Sequence, residues 1–308
     1  MRLLSAVLVS SLLLAGCNSG SEQAENNDKS SGSSPVTPPT GQPTPPVTPP
    51  VVDVPELDPN VEPITNGSWY RPAPLTTWQW QLSGTVNTSY NVDIYNIDLF
   101  DSSTDLIQGL QQSGKKVICY FSAGSYEDWR PDAKEFKESD LGNNLDGWPG
   151  ERWLDIRSKN VISIMTKRLE LAKEKGCDGV ELDNMDGYTN STGINLTNTD
   201  QLAYNRAVAN TAHQLSLSIG LKNDLDQILE LVDYYDFAIN ESCTEYNECH
   251  LLNPFIQNGK AVLNAEYLNK YVNDEAARNE MCTQSKQMQF STLVLPLALD
   301  DSFRISCS

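Results

Sequence analysis

The chain has 308 residues, of which 41 are acidic and 22 are basic, and its formal net charge at pH 7 is −19. A surface this acidic repels the phosphate backbone of nucleic acids, so we expect no nucleic-acid partner. The same charge attracts cationic polymers, although acidity alone also serves solubility and does not identify a ligand.

The first 16 residues have the features of a signal peptide. Arg2 supplies a positive charge, residues 3–14 form an apolar run too short to span a bilayer, and small residues precede Cys17. The Leu-Ala-Gly-Cys stretch that ends at Cys17 resembles a bacterial lipobox, which implies cleavage before Cys17 and lipidation of its thiol. We therefore expect an exported lipoprotein held in the membrane by an N-terminal lipid anchor, and Asn18 favours the outer membrane. The alternative is an ordinary signal peptide followed by an incidental cysteine.

Residues 17–66 form a predicted disordered linker, because they are rich in Ser, Asn, Thr and Pro and contain few large apolar side chains. The proline-rich part, residues 35–55, would reach roughly 65 Å if extended. The linker is either a tether that holds the following domain away from the lipid surface or a spacer without a tuned length. The predicted globular domain then spans residues 67–308.

Residues 67–308 alternate strand-like apolar runs with helical stretches, which is typical of a parallel α/β fold. The length suits a single (β/α)8 barrel of the TIM type, whose active site lies at the C-terminal ends of the strands. The predicted strands are Thr77–Leu82, Val92–Leu99, Lys116–Ser122, Gly179–Asp183, Ser218–Asn223, Phe237–Glu241, Ala261–Tyr267 and Phe290–Ala298. The predicted helices are Thr104–Ser113, Val161–Lys175, Asp200–Leu215, Leu225–Leu231, Leu251–Asn258 and Asp274–Lys286.

The long connection after the third predicted strand, residues 123–160, lies on the C-terminal face of such a barrel. It contains Tyr126, Trp129, Trp148 and Trp153. These aromatic side chains either stack on sugar rings or pack a small core within the insert. Trp129 and Trp148 are the better candidates for an exposed pair.

Six cysteines remain after the lipobox cysteine, and export permits them to form disulfides. Cys119 lies in an apolar run, so we expect it to be a small buried residue outside any bridge. A metal site is the rival interpretation, but the chain has only two histidines and no CxxC pair, so we expect no metal. The expected bridges join Cys243 to Cys249 and Cys282 to Cys307.

Two predicted strands end in a carboxylate, Asp183 and Glu241, and the strand between them carries Lys222. In one parallel barrel these side chains converge at the mouth, and Glu181 faces the same way one layer deeper. A neighbouring cation keeps an aspartate ionised, and a pair of acids can hydrolyse a glycosidic bond without a metal or cofactor. The rival interpretation of each acid alone is a helix cap.

Five stretches of the chain closely resemble the motifs of glycoside hydrolase family 114, the endo-α-1,4-polygalactosaminidases. The resemblance implies a β/α barrel that cuts internal α-1,4 bonds of partly deacetylated, cationic galactosamine polymers. It places the two essential acids of the family at Asp183 and Glu241. The stretches are Val117–Arg130, Leu145–Arg157, Gly176–Tyr188, Gly220–Asp224 and Asn240–Cys243.

The working mechanism is that Asp183 attacks the anomeric carbon while Glu241 protonates the leaving oxygen and then activates water. Further residues around the expected mouth are assigned supporting or substrate-binding roles, and the acids among them attract cationic amino groups of the substrate. These residues are Asp98, Tyr120, Tyr126, Trp129, Glu181, Asn184, Asp186, Tyr188, Lys222, Asn223, Asp224 and Glu266.

Two other functions remain as alternatives: a carbohydrate-binding lipoprotein that has lost catalysis, and a metal-dependent polysaccharide deacetylase. The presence of Asp183, Glu241 and Lys222 argues against the first, and the scarcity of histidine argues against the second. The strand spacing leaves the stereochemical course open, because acids two strands apart can approach to ~5 Å or remain ~6.5–9.5 Å apart. Analogy with barrel enzymes that act on α-glycosides favours retention.

Overall fold

The computed structural model describes residues 52–307. The predicted signal peptide, Cys17 and the linker up to residue 51 lie outside the described residues. Within the described part, no helix has both the length and the apolarity that a membrane span requires.

Residues 52–66, which their composition assigns to the linker, contain neither helix nor strand but pack on the domain. Val52 and Val61 contact its apolar core. Asn210 donates a hydrogen bond to Glu62 O at 2.8 Å and accepts one from Ile64 N at 2.9 Å. The packed chain therefore extends upstream of residue 67, because these residues find apolar and hydrogen-bonding partners on the domain.

Twelve strands form two sheets in the described chain. Their bounds are β1 Trp78–Gln81, β2 Ile94–Asp98, β3 Lys116–Ser122, β4 Ser125–Glu127, β5 Leu141–Asn144, β6 Glu151–Leu154, β7 Gly179–Asp183, β8 Ser218–Lys222, β9 Phe237–Glu241, β10 Val262–Glu266, β11 Ser291–Val294 and β12 Ile305–Ser306. The large sheet has the order β1-β2-β3-β7-β8-β9-β10-β11-β12 and is parallel except for the last pair. The insert forms a small antiparallel sheet, β4-β6-β5.

Helices alternate with most strands of the large sheet. The α-helices are α1 Thr104–Gln112, α2 Lys159–Lys175, α3 Asn198–Gln214, α4 Ile228–Leu231, α5 Cys243–Tyr246, α6 Asn253–Gln257, α7 Asn269–Asn273 and α8 Glu275–Gln287. Short 3₁₀ turns cover Ala133–Glu135, Glu138–Asp140, Gly187–Thr189, Leu225–Gln227 and Cys249–Leu252. The cap of α3 is a capping box in which Thr197 and Asp200 satisfy each other's backbone N–H.

All eight predicted strands are present, and β3, β7 and β9 have the predicted bounds. The largest difference is the last parallel strand, which ends at Val294 rather than Ala298. Pro296 has no N–H to donate, so it cannot continue the ladder. Strand β12 and the small sheet of the insert were not predicted, because their short runs lack an apolar alternation.

The alternation of side chains along the strands separates two apolar layers. Trp80, Ile118 and Ile239 belong to the layer enclosed by the curled sheet, which is built from strand residues and the loop after β11. The layer outside the sheet packs against the helices. Because side chains two apart face the same way, Glu241 lies on the enclosed side above Ile239.

Three disulfides cross-link the domain: Cys119–Cys177, Cys243–Cys249 and Cys282–Cys307. The last two are the expected pairs. The expectation that Cys119 lies outside any bridge is wrong. The parallel pairing of β3 with β7 places Cys119 opposite Val180, which brings Cys177 within reach at a Cα–Cα distance of 6.1 Å.

Removal of the Cys119–Cys177 bridge tests its contribution to stability. The bridge closes a span of 58 residues, and the chain-entropy relation for a loop of that size gives about 4 kcal/mol. We expect the free energy of unfolding of the Cys119→Ala/Cys177→Ala variant to be lower than that of wild type by about this amount. Its Tm should be roughly 10 °C lower. Denaturant and thermal unfolding measure the two quantities.

The matched control is Cys243→Ala/Cys249→Ala, which opens a span of only 6 residues. Its expected loss is about 2 kcal/mol by the same relation. Equal losses in the two double variants, or a larger loss in the control, would contradict this account.

Candidate active site

The candidate site lies where β7, β8 and β9 reach the same edge of the sheet. These strands end at Asp183, Lys222 and Glu241. Below Lys222 on the same face is Gly220, where a Cβ atom would come within 2.5 Å of the Phe237 ring. Because Gly220 has no side chain, the Phe237 ring can pack directly beneath Lys222 and form the bottom of the site.

Lys222 joins the acids of the three-strand edge. Its Nζ lies 3.0 Å from Asp183 Oδ1, 3.2 Å from Glu241 Oε2 and 3.4 Å from Glu181 Oε1. The side chain is only 2% exposed, and Nζ lies 4.9 Å from the centroid of the Trp80 ring. The first two distances together limit the separation of those Asp183 and Glu241 oxygens to about 6.2 Å.

The charge of Lys222 is fixed by its neighbours. Burial alone would lower the pKa of Lys222, but the charges of Asp183, Glu241 and Glu181 raise it well above its usual value. Lys222 is therefore a cation throughout the physiological pH range. It lies between the two mouth acids, as the sequence predicts, but beneath them rather than exposed at the rim.

Asp183 is held in its ionised form. Burial alone would raise the pKa of Asp183, but the charge and hydrogen bond of Lys222 outweigh it, and the pKa lies below its ordinary value. Tyr120 Oη donates to Asp183 Oδ2 at 2.9 Å, and the backbone N–H of Asn184 donates to Oδ1 at 2.8 Å. All of these contacts stabilise the carboxylate.

Glu241 is oriented by the residues that directly follow the two neighbouring strands, β8 and β10. Tyr267 Oη donates to Glu241 Oε1 at 2.5 Å, and Asn223 Nδ2 lies 3.4 Å from Oε2. Burial, and then the charge of Glu241, raise the pKa of Tyr267 well above its usual value, so the phenol remains a donor. Sequence reasoning missed Tyr267; its place directly after an apolar strand was the available indication.

Glu181 lies beneath the acid pair and is fully buried. Burial raises its pKa to about 8, although Lys222 opposes the shift. Asn96 Nδ2 donates to Glu181 Oε2. At neutral pH this carboxyl group is therefore protonated most of the time. The positive charge of Lys222 then compensates mainly the two acids above it, Asp183 and Glu241.

The backbone turns sharply after each of the three strands. Asn184, Asn223 and Ser242 have φ values of 61°, 51° and 61°. Asparagine tolerates this left-handed region because its short side chain bonds locally. Asn184 Nδ2 donates to Ser122 Oγ at 2.9 Å, and Asn223 Oδ1 accepts from Glu241 N at 3.1 Å. Both asparagines therefore position the strand ends.

The acid pair opens into a cavity of about 1060 Å³ between the strand ends and the insert. Trp129 and Trp148 line this cavity and are 53% and 49% exposed. Tyr126 packs edge-on against Phe136 within the insert, with ring centroids 5.5 Å apart, and Trp153 is buried. The two tryptophans are thus available to a ligand. Tyr126 packs within the insert, and Trp153 is a buried part of the cavity lining.

Two acids assigned to the mouth are not free charges. Asp98 lies at the cavity wall, where both of its carboxylate oxygens accept hydrogen bonds from Arg130 at 3.1 and 2.8 Å. Glu266 is fully buried and accepts hydrogen bonds from Thr244 N and Asn264 Nδ2. The expectation that they attract a ligand electrostatically is corrected, because their charges are paired or buried. Sequence reasoning missed the role of Arg130.

Asp186 and Asp224 lie beside the acid pair. Burial, and then the charge of Asp183, raise the pKa of Asp186 to about 6. Burial, and then the charge of Asp186, raise the pKa of Asp224 to about 8. Asp224 Oδ2 accepts a hydrogen bond from Asn205 at 2.9 Å. Tyr188 lines a second cavity together with both aspartates.

The described residues contain one group with the spacing of a metal site, Cys243, Cys249 and Glu266. Its two sulfur atoms form a disulfide with each other. In this oxidised state they have no thiolate to offer to a metal, so the group acts as a covalent bridge.

Comparisons with known proteins relate the chain to enzymes that act on sugars. The sequence model of glycoside-hydrolase family GH114 matches residues 59–308. The crystal structure of Aspergillus fumigatus Ega3 in complex with galactosamine is 43% identical in sequence, with a TM-score of 0.74, over 79% of this chain and 100% of that chain. The glycoside hydrolase domain of PelA from Pseudomonas aeruginosa is 14% identical, with a TM-score of 0.60, over 75% and 98%, and shares the fold. No curated protein matches the sequence.

Replacement of Lys222 tests its role between the acids. We expect Lys222→Met to lose about 3 kcal/mol of unfolding free energy near neutral pH, because buried acids are left without a counter-charge. Without the lysine, burial raises the folded-state pKa of Asp183 above its unfolded value. The folded variant then binds more protons than the unfolded chain, so its deficit against wild type shrinks as the pH falls from about 7 to about 5. Denaturant unfolding at several pH values measures both effects.

Lys175→Met is the control, because Lys175 Nζ donates to the backbone carbonyls of Leu99, Phe100 and Ser102 rather than to acids. Its deficit is expected to remain constant over the same pH range. A Lys222→Met deficit that is equally independent of pH would contradict the assigned charge arrangement.

Proposed function

Because the chain belongs to glycoside hydrolase family GH114, we propose that it is an endo-acting hydrolase of α-1,4-linked galactosamine polymers in biofilm or matrix polysaccharide. The observation that carries the proposal is the carboxylate pair, Asp183 and Glu241, held by one lysine at the open end of parallel strands. The galactosamine complex of Ega3, a relative with 43% identity, supports the sugar class.

In the proposed reaction Asp183 is the nucleophile. Its lowered pKa keeps it ionised, and the hydrogen bond from Tyr120 fixes one of its oxygens. The carboxylate attacks the anomeric carbon and forms a covalent glycosyl ester, while the bond to the leaving oxygen breaks. Lys222 remains charged throughout and holds Asp183 in place.

Glu241 is the proposed acid and base. In its protonated form it gives its proton to the leaving oxygen, and the resulting carboxylate then removes a proton from the water that hydrolyses the ester. Its contacts with Tyr267 and Lys222 hold the two carboxylate oxygens in a fixed orientation. The same residue serves both steps, so the enzyme returns to its starting protonation state.

The spacing of the acids supports a retaining course. The two oxygens that contact Lys222, Asp183 Oδ1 and Glu241 Oε2, are at most about 6.2 Å apart. Retaining enzymes have carboxyl groups about 5–5.5 Å apart, whereas inverting enzymes need about 6.5–9.5 Å to hold a water molecule. The upper limit for this oxygen pair lies below the inverting range, which favours retention.

The main cavity supports binding within a polymer. Its volume of about 1060 Å³ is at the upper end of ordinary ligand pockets, roughly 300–1,000 Å³, so it has room for more than one sugar. Exposed Trp129 and Trp148 offer flat apolar faces for pyranose rings. An open cleft of this kind allows the polymer to enter along its length rather than by its end.

Two further features belong to the proposal. The sheet closes into a (β/α)8 barrel, which is supported by hydrogen bonds from Leu82 N and Ser83 N to Leu299 O at 2.9 and 3.2 Å, between the loops that follow β1 and β11. The domain is exported and anchored to the outer membrane through lipidated Cys17. The support for the anchor is the lipobox-like sequence alone.

Conservative replacement of either acid tests the assignment. We expect Asp183→Asn and Glu241→Gln each to lower kcat/KM on deacetylated polygalactosamine about a thousandfold or more, with Tm nearly unchanged. Product release followed by mass spectrometry measures the rate. Asp105→Asn removes an exposed acid on α1 and serves as the control. Wild-type activity in either acid variant would remove that residue from the mechanism.

The anomer released first tests the retaining course. A covalent ester on Asp183 followed by attack of water gives two inversions, so the new reducing ends should appear as the α anomer. Proton NMR during the first minutes of cleavage, before mutarotation, distinguishes the two anomers. Initial release of the β anomer would exclude Asp183 as a nucleophile.

A further inference from the structure

A second cavity of about 340 Å³ adjoins the candidate active site. Asp186, Thr189, Asn223 and Glu241 line both cavities. Asp183 lines the main cavity but is absent from the lining of the second. The two cavities are therefore neighbouring parts of one cleft, and they meet at Glu241.

The second cavity is acidic. Asp224, Asp226 and Glu248 add to the two shared acids, and the described residues that line it include no lysine or arginine. Burial is the main cause of the raised pKa values of Asp186 and Asp224, and each is raised further by a neighbouring aspartate charge. A bound cation would relieve this repulsion and favour the ionised carboxylates.

A hydrogen-bond acceptor without a partner in the described part of the chain, Asn240 Oδ1, is a second indication of a ligand in this cavity, separate from the charges of the lining acids. Asn240 lines the second cavity and is 1% exposed, yet its Oδ1 has no hydrogen-bond partner among the described residues. Its orientation is fixed, because its Nδ2 donates to Asn223 Oδ1, which also accepts from Glu241 N. Buried acceptors are normally satisfied, so an N–H or O–H donor of a ligand in this cavity would complete the hydrogen bonding of Asn240.

We propose that the second cavity binds the sugar on the leaving-group side of the scissile bond and selects one with a free, protonated amino group. The inference rests on the proposed function. Glu241, which protonates the leaving oxygen, lines both cavities, whereas the nucleophile Asp183 lines only the main one. The leaving sugar therefore extends from Glu241 into the second cavity.

The selection follows from the chemistry of the amino group. An ammonium group has a positive charge and three donors for carboxylates and the Asn240 oxygen. An N-acetyl group is neutral, offers one N–H and would leave the buried acids uncompensated. In the main cavity Trp129 and Trp148 present flat apolar surfaces that accept a sugar with or without an acetyl group.

Product sequences test this selection. The sugar on the leaving-group side becomes the new non-reducing end, so fragments from a randomly, partly N-acetylated polymer should have free amines there. We expect the ratio of free amine to N-acetyl groups at the new non-reducing ends to be about ten times the same ratio in the polymer. Tandem mass spectrometry of the fragments, with ¹⁸O water to mark new reducing ends, measures this enrichment.

The double variant Asp226→Asn/Glu248→Gln changes the lining at partly or fully exposed positions, which favours retention of the fold. It should lose most of the enrichment and about tenfold in kcat/KM on fully deacetylated polymer. Glu230→Gln/Glu245→Gln removes the same charge from exposed positions outside the cavity and should behave like wild type.

Each remaining outcome separates the inference from the proposed function. If the wild-type enzyme is active but the non-reducing ends of its products are acetylated at random, the inference is overturned and the proposed function is not. Equal effects of the two double variants would also overturn it, because general surface charge would then explain the selectivity. Wild type that cleaves no galactosamine polymer would overturn the proposed function, and this inference with it.

Discussion

The arrangement of the site depends on one buried positive charge, the Nζ atom of Lys222. Each ion transferred from water to the interior costs several kcal/mol, and three carboxyl groups without a cation would repel one another as well. Lys222 offsets both effects for Asp183 and Glu241, while Glu181 below it can hold a proton. The result is a rigid pair of acids at a fixed spacing, which suits a reaction at one sugar carbon and its leaving oxygen.

The strands were predictable because parallel strands buried on both faces form nearly continuous apolar runs. Runs such as Gly179–Asp183 and Phe237–Glu241 stand out between polar or helical stretches, and the structure has the same bounds. Long-range contacts were less predictable. The Cys119–Cys177 bridge depends on which strands are neighbours, and the packing of residues 52–66 depends on acceptors of distant helices. Neither leaves a local pattern in the sequence.

The site was predictable at the strand ends, where a residue's position in the strand fixes the edge and the face on which it lies. Asp183, Lys222 and Glu241 followed from that rule. The pairing and burial of the other acids could not be predicted in this way, because they depend on residues far away in the chain. Asp98 is paired with Arg130 of the insert, and Glu266 is buried and accepts a hydrogen bond from Thr244 in α5. The net charge of the chain therefore does not reveal which acids face a ligand.

Trapping the covalent intermediate tests the central claim most directly. In the Glu241→Gln variant an activated α-galactosaminyl fluoride needs no acid to leave, but water is not activated, so the glycosyl ester should accumulate. Mass spectrometry of the quenched and digested protein should find one galactosamine unit on the peptide that contains Asp183. The absence of an adduct under turnover conditions, or an adduct on another carboxylate, would contradict the account.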